Sequence, residues 1–185
     1  MVIEMKVKVA VSNRHIHLTK ETYEKLFSDT NITVKRYLNQ IGQFAADQTV
    51  DLIYNDKKIQ HVRIVGPFRN YNQVELLKSD LDYLQMDEFV RKSGDIKGTP
   101  GITIVNDNNK VTINEGVIRE ERHIHVNTKD KDKFGLEDND EVLVNNLFNA
   151  FIKVSDDGYF EMHIDKDEAI EYTLNTGDEV DFIKK

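Results

Sequence analysis

Ser12-Asn13-Arg14-His15-Ile16-His17-Leu18-Thr19 and Glu121-Arg122-His123-Ile124-His125-Val126-Asn127-Thr128 are two copies of one pattern, 108 residues apart (123 − 15). Each carries Arg-His-Ile-His followed by an apolar residue, and together they hold four of the chain's six histidines. In an extended strand, side chains at i and i+2 share a face. Each copy therefore presents two imidazoles side by side and turns Ile16 or Ile124 the other way. That geometry suits a pair of histidines on one metal ion. A single His-x-His is a weak signal, because surface strands carry such pairs by chance. Two copies in a chain this poor in histidine argue for a duplicated unit and for metal.

Composition narrows the rest. A chain of 185 residues accommodates one large domain or two small ones, and 39% apolar residues suffice for a core. The balance of 25 basic against 33 acidic residues, net −8, argues against a nucleic-acid partner. With no cysteine there is no disulfide, no thiolate metal ligand and no cysteine nucleophile. Any metal must use imidazole, carboxylate and water. No apolar run reaches the length of a membrane span, and the start, Met1-Val-Ile-Glu-Met-Lys, lacks the layout of a signal peptide. A cytoplasmic protein is expected.

Working outward, Lys6–Val11 alternates and predicts a strand with Val7, Val9 and Val11 on one face. Thr19 reads as an N-cap for a helix over 20–27, and Thr128 as its counterpart after the second copy. Thr49–Tyr54 and Ile59–Val65 read as a hairpin about Asn55–Lys58, with Val62 and Ile64 on one face. Ser79 reads as a cap for a turn or two of helix. Ile102–Val105 with Val111–Ile113, and Phe148–Val154 with Tyr159–Ile164, read as further hairpins. A short helix closes at Gly135, and another is expected over 166–173. Strands are many and short, and few connections are long enough for parallel crossovers. The expected fold class is mainly β with short helices (α+β), built as two small antiparallel β-barrels.

Among the carboxylates, Glu75 is the best candidate to join the histidines, because residues 66–76 have little surface-helix character. Read alone, Glu75 is an ordinary solvated carboxylate, Arg69 a surface ion-pair partner, His163 a hydrogen-bonded strand histidine and His61 structural.

Nine segments in order carry a wider likeness: Ser12–Leu18, Gly42–Ala46, Gly66–Arg69, Gln73–Glu75, Ser93–Asp95, Gly101–Val105, Glu115–Ile118, Arg122–His125 and Glu161–Asp165. Together the chain resembles the phosphate propanoyltransferase family, the microcompartment-type phosphotransacylases, from about Val9 to Glu168. The resemblance implies reversible conversion of an acyl-CoA and phosphate to acyl phosphate and CoA. It implies two divalent metal ions, usually zinc. His15, His17 and Glu75 would hold the first, and His123, His125 and His163 the second. Arg69 would be the catalytic, phosphate-binding residue, with Val11, Ser12, Asn13 and Arg63 touching CoA. The implied architecture is a discontinuous barrel from residues 1–46 with 121–185, carrying both histidine pairs. An inserted barrel from 47–120 carries Arg69 and Glu75.

Two histidines with a glutamate, and three histidines, are ligand sets of catalytic zinc with an open position. Direct attack of phosphate on the thioester needs no protein nucleophile, in keeping with the absence of cysteine. The sequence departs from the family at Ile170, where an Asn is usual, and at Asp56, in place of a Gly- and Pro-containing pattern with a basic residue. Both positions belong to the implied CoA contacts. About ten residues precede the first motif, so a free cytoplasmic enzyme without a microcompartment-targeting extension is expected. A two-metal hydrolase of a thioester or phosphoester and a non-catalytic metal- or anion-binding barrel are the alternatives. A homodimer is one option, and a downstream acyl kinase is a candidate partner.

Overall fold

The computed structural model describes residues 4–185. Along them run β1 (Met5–Ser12), β2 (His15–His17), α1 (Lys20–Phe27), β3 (Val34–Tyr37), β4 (Phe44–Tyr54), β5 (Lys57–Gly66), β6 (Gln73–Glu75), α2 (Lys78–Leu84), β7 (Val90–Arg91), β8 (Ile102–Asn106), β9 (Asn109–Ile113), β10 (Val117–Glu120), β11 (His123–Asn127), α3 (Lys131–Phe134), β12 (Glu141–Val144), β13 (Phe148–Ser155), β14 (Glu161–Asp165), α4 (Lys166–Glu171) and β15 (Glu179–Lys184). The protein is mainly β with short helices, as expected. None of these helices is long and apolar enough to cross a membrane.

The chain divides into two compact units. One takes the described residues up to Ser12, Asn39–Ile41 and Glu121–Lys185; the other takes Asn13–Leu38 and Gly42–Glu120. The first is a closed barrel in the order β1-β14-β11-β13-β12-β15. Alternation sets its interior: Val7, Val9, Ile124, Val126, Met162, Ile164, Val180 and Phe182 are each no more than 3% exposed. Each contributes roughly 1.5–3 kcal/mol of apolar burial. In α4, Asp165 accepts from the Glu168 N–H and the Glu168 carboxylate accepts from the Asp165 N–H, a reciprocal cap.

The second unit is a curled sheet in the order β7-β10-β6-β2-β5-β4-β8-β9, with β3 beside β4. Its core gathers Ile16, Leu18, Leu52, Ile64, Val74 and Ile104 with Tyr23 and Leu26 of α1. Thr19 caps α1 as expected, accepting from the Thr22 N–H at 3.1 Å.

Several expectations are corrected. The sheets are mixed rather than antiparallel: β1–β14, β11–β13, β2–β5, β6–β10 and β7–β10 are parallel. Parallel partners come from distant segments, so the short local connections do not govern them. Phe148–Val154 and Tyr159–Ile164 form no hairpin, because β11 lies between β13 and β14. The N-cap of α2 is Leu77, not Ser79, and that of α3 is Asp130, not Thr128. In β5, His61 has φ 58° and breaks the alternation, so Ile59, Val62 and Ile64 are all buried. Residues 13–38 and 42–46 lie with the middle of the chain, and each histidine pair sits in its own unit.

That last difference has a simple cause. β1 and β2 are consecutive but belong to different units, and so are β10 and β11. The two copies of the motif have exchanged their leading strands. Register proves the equivalence: Ala10 of β1 pairs with His163, and Ile118 of β10, 108 residues on, pairs with Glu75. The motif arginines match too. Arg14 grips Asp80 through Nε at 2.8 Å and Nη2 at 2.7 Å, while Arg122 Nε lies 3.4 Å from Glu168. Asp80 and Glu168 are the third residues of α2 and α4.

Asp80 also accepts from the Leu77 N–H at 3.1 Å. Asp80→Ala removes that cap and leaves Arg14 without its buried partner, at an expected cost of about 3 kcal/mol. Glu24→Ala, which breaks an exposed pair with Lys20 at 3.8 Å, costs under about 0.5 kcal/mol. Urea denaturation of both variants checks the contrast.

Candidate metal centres

In the sheet unit, β2 sets His15 and His17 on one face, and antiparallel β6 sets Glu75 opposite His15 and Gln73 opposite His17. His15 Nδ1 donates to the Asn13 carbonyl at 2.9 Å and His17 Nδ1 to the Val65 carbonyl at 3.0 Å. This fixes both Nε2 atoms as the free nitrogens. They face the Glu75 carboxylate, at 3.1 Å from His15 and 3.4 Å from His17. Lone pairs facing a carboxylate at these distances repel unless a proton or a cation lies among them. Adjacent ligand atoms on tetrahedral zinc stand about 3.3–3.5 Å apart, so the spacing fits a shared ion. Backbone carbonyls on the outer imidazole nitrogens are the usual support of metal-bound histidine.

Charge behaves accordingly. Burial opposes protonation of His15, but the Glu75 carboxylate more than reverses this and pushes it up to about 9. Burial pushes His17 down, with the positive charges of His15 and Arg69 adding to it against the Glu75 hydrogen bond. Glu75 is held well below its ordinary range despite burial, chiefly by His15. One proton on His15 thus stands where a cation would.

Arg69 belongs to the same unit. Its N–H donates to the Leu18 carbonyl at 2.9 Å, tying the loop after β5 to the end of β2. Its Nη1 donates to Ser93 Oγ at 2.9 Å and to the Tyr71 hydroxyl at 3.3 Å. Gln73 Nε2 donates to the same Ser93 Oγ at 2.9 Å and to Glu75 Oε1 at 2.7 Å. The Gly94 N–H, at a φ of 95° that favours glycine, donates to Gln73 Oε1 at 2.7 Å. A continuous chain Arg69–Ser93–Gln73–Glu75 results. Sequence reasoning gave Gln73 and Ser93 no role. The signal for Gln73 was its position two before Glu75 on a strand, hence on the same face.

In the barrel unit, β11 carries His123 and His125, and antiparallel β14 sets His163 opposite His123 and Glu161 opposite His125. His123 Nδ1 donates to the Glu121 carbonyl at 2.7 Å, and its Nε2 lies 3.0 Å from His125 Nε2. His125 Nδ1 is buried without a partner. Burial, with His123 and His163 alongside, holds His125 firmly in its neutral form. A cation taking up the converging lone pairs suits this cluster, whereas a second proton does not. In each unit the three candidate ligand atoms lie within 4.8 Å of one another.

The expected CoA contacts are spread over both units. Val11 and Ser12 end β1 of the barrel, where the Val11 N–H donates to Thr176 Oγ1 and Ser12 Oγ to the Ile164 carbonyl. Asn13 and Arg63 belong to the sheet unit. Arg63 is register-paired with His15, and its Nη1 donates to the Ala46 and Asp47 carbonyls. Asp56 is exposed at a hairpin turn, and Ile170 is 70% exposed on α4.

In chelator-treated protein the raised His15 pKa makes its pairing with Glu75 fully stabilising below 6.5 and lost as pH rises through about 9. The depressed Glu75 pKa makes the same pairing fully present above 4.5 and lost as pH falls through its depressed value. The melting temperature should therefore drop between pH about 6 and pH about 9, and Glu75→Gln should flatten that limb. A pH series of thermal melts reads both.

Comparison with known proteins bears on this arrangement. The profile of the phosphate propanoyltransferase family matches residues 8–175. The phosphate propanoyltransferase of Thermotoga maritima is 41% identical over 179 residues, covering 92% of this chain and 85% of that protein. Its namesake from Citrobacter koseri is 42% identical, covering 90% and 83%, and that from Limosilactobacillus reuteri 40% identical, covering 88% and 80%. The fold, the paired histidine strands and these matches agree: the chain belongs to the phosphate propanoyltransferase family and is an acyltransferase.

Proposed function

We propose that the protein interconverts a short-chain acyl-CoA, propanoyl or acetyl, and phosphate with acyl phosphate and CoA, using two divalent ions, most simply zinc. The chain Arg69–Ser93–Gln73–Glu75 carries this reading, because it joins an anion-binding guanidinium to a three-ligand metal cage. His15, His17 and Glu75 would hold one ion, and His123, His125 and His163 the other. Bound, the ions supply positive charge that polarises the thioester carbonyl and favours the leaving thiolate.

The residues themselves do the rest. Arg69 offers its remaining N–H groups to phosphate oxygens as a planar fork. Ser93 and Tyr71 hold that fork without neutralising it. Gln73 fixes the Glu75 carboxylate while sharing Ser93 with Arg69, so the anion and the cage keep one spacing. A phosphate oxygen attacks the thioester carbon, a C–O bond forms, the C–S bond breaks and CoA departs as thiolate. The reverse follows the same path. CoA contacts by Val11, Ser12, Asn13 and Arg63 belong to this reading. So does a cytoplasmic setting beside an acyl kinase that consumes the product.

Release of free thiol from propanoyl- and acetyl-CoA should depend on phosphate, with about two metal ions per chain, and His123→Ala should abolish it. Release without phosphate would indicate a hydrolase instead. Arg69→Lys keeps the charge but loses the fork, and should raise the KM for phosphate about tenfold or more with a smaller effect on acyl-CoA. Steady-state kinetics with each substrate varied separates the two.

A further inference from the structure

The two cages are built on the same frame, yet their chemistry is exchanged between two positions. Opposite the first histidine stands Glu75 in the sheet unit and His163 in the barrel. Opposite the second stands Gln73 in the sheet unit and Glu161 in the barrel. In both units the residue opposite the second histidine hydrogen-bonds its neighbour two positions on: Gln73 donates to Glu75 at 2.7 Å, and Glu161 accepts from His163 Nε2 at 3.1 Å. Glu161 is 6% exposed, and its other oxygen accepts from Asn39 Nδ2 at 2.8 Å. A buried carboxylate held this way needs a positive charge nearby to offset its desolvation.

We propose that Glu161 is the positioning residue of the barrel cage. It accepts a hydrogen bond from the His163 Nε2–H, which leaves Nδ1 as the metal-ligating atom and makes the ring a stronger ligand. The device supplies each ion with one carboxylate. In the sheet unit Glu75 is a direct ligand oriented by a neutral amide. In the barrel His163 is the ligand and the carboxylate stands behind it. The inference rests on the reading of both clusters as metal sites, and goes beyond it by assigning a residue outside either ligand set.

The frame itself provides the test. Wild type loaded with zinc should hold two ions per chain. E161Q should hold one as tightly as wild type and the other about 10–100-fold more weakly, measured by competition with a chromophoric chelator. H163E alone sets two carboxylates side by side and should lose the second ion. The double variant E161Q/H163E rebuilds the Gln-and-Glu arrangement of the sheet unit and should regain it. A residue that merely fills space would give no such rescue. Cobalt substitution adds a second readout, since the d–d band of the barrel ion should change in E161Q and that of the other should not. Should the double variant fail to fold by its thermal melt, the reciprocal Q73E/E75H asks the same question in the sheet unit. It should bind its ion where E75H alone does not. Unchanged affinity for both ions in E161Q overturns the proposal, as does a folded double variant without its second ion. Wild type that binds no zinc would instead overturn the metal reading on which the proposal stands.

Discussion

Both groups of three candidate ligands depend on one contact, the antiparallel pairing of a two-histidine strand with a neighbour whose residue lies across from the first histidine. Side chains so paired have Cβ atoms about 4.5–5.5 Å apart. The convergence is thus set by main-chain hydrogen bonds before any rotamer is chosen, which is the most rigid support a site can have. Register is pinned from the other face. Ile16 and Ile124 are fully buried, and a slip of one residue would drive imidazoles into the core and isoleucine into the site. Parallel strands outside each pair, β10 against β6 and β1 against β14, keep the third-ligand strand from sitting at a sheet edge.

The arginine in front of each histidine pair serves the same end. Arg14 and Arg122 each reach the acidic third residue of the helix that follows the third-ligand strand. That acid also caps its helix. A single ion pair therefore fixes the start of the helix relative to the histidine strand, and with it the strand between. Glu168 serves Arg122 in surroundings shared with Tyr172 and Phe148, whose rings the guanidinium also covers.

What the sequence made legible follows from the range of the interactions. Histidine pairs, the Thr19 cap and the strand alternation are local, and each was readable in a window of a few residues. Glu75 stood out as a candidate from its surroundings, but it and His163 were assigned to particular histidine pairs only through resemblance to a family, because nothing local ties residue 75 to residue 15. The exchange of β1 and β10 was invisible for the same reason. A turn at Ser12–Asn13 looks like any strand-to-strand connection, and only the register of distant partners shows that the chain has passed from one unit to the other. The hairpin expected of Phe148–Val154 with Tyr159–Ile164 failed because turn residues report a reversal of direction, not which strand fills the space beside it. Capping was misassigned at Ser79 and Thr128 because serine and threonine are favoured at caps, while here an acid at the third helical position does the work for α2.

Arg69 differs from the motif arginines in the one respect that matters for an anion. Arg14 and Arg122 face carboxylates, and their charge is spent inside the fold. Arg69 is held by the hydroxyls of Ser93 and Tyr71, acceptors that fix a guanidinium without cancelling it, and it makes no ion pair among the described residues. In a chain of net charge −8, a cation kept clear of carboxylates is an arrangement the sequence must avoid disturbing. On the proposed reading, replacing Ser93 by an acid would hold Arg69 as firmly and would destroy its use, since the Coulomb attraction open to an incoming phosphate would already be satisfied. On the proposed reading, neutral support for the arginine and a buried carboxylate for the candidate metal cage are therefore one requirement. Gln73 reconciles them, since its amide stands between Ser93 and Glu75 and keeps the negative charge beside His15 and His17.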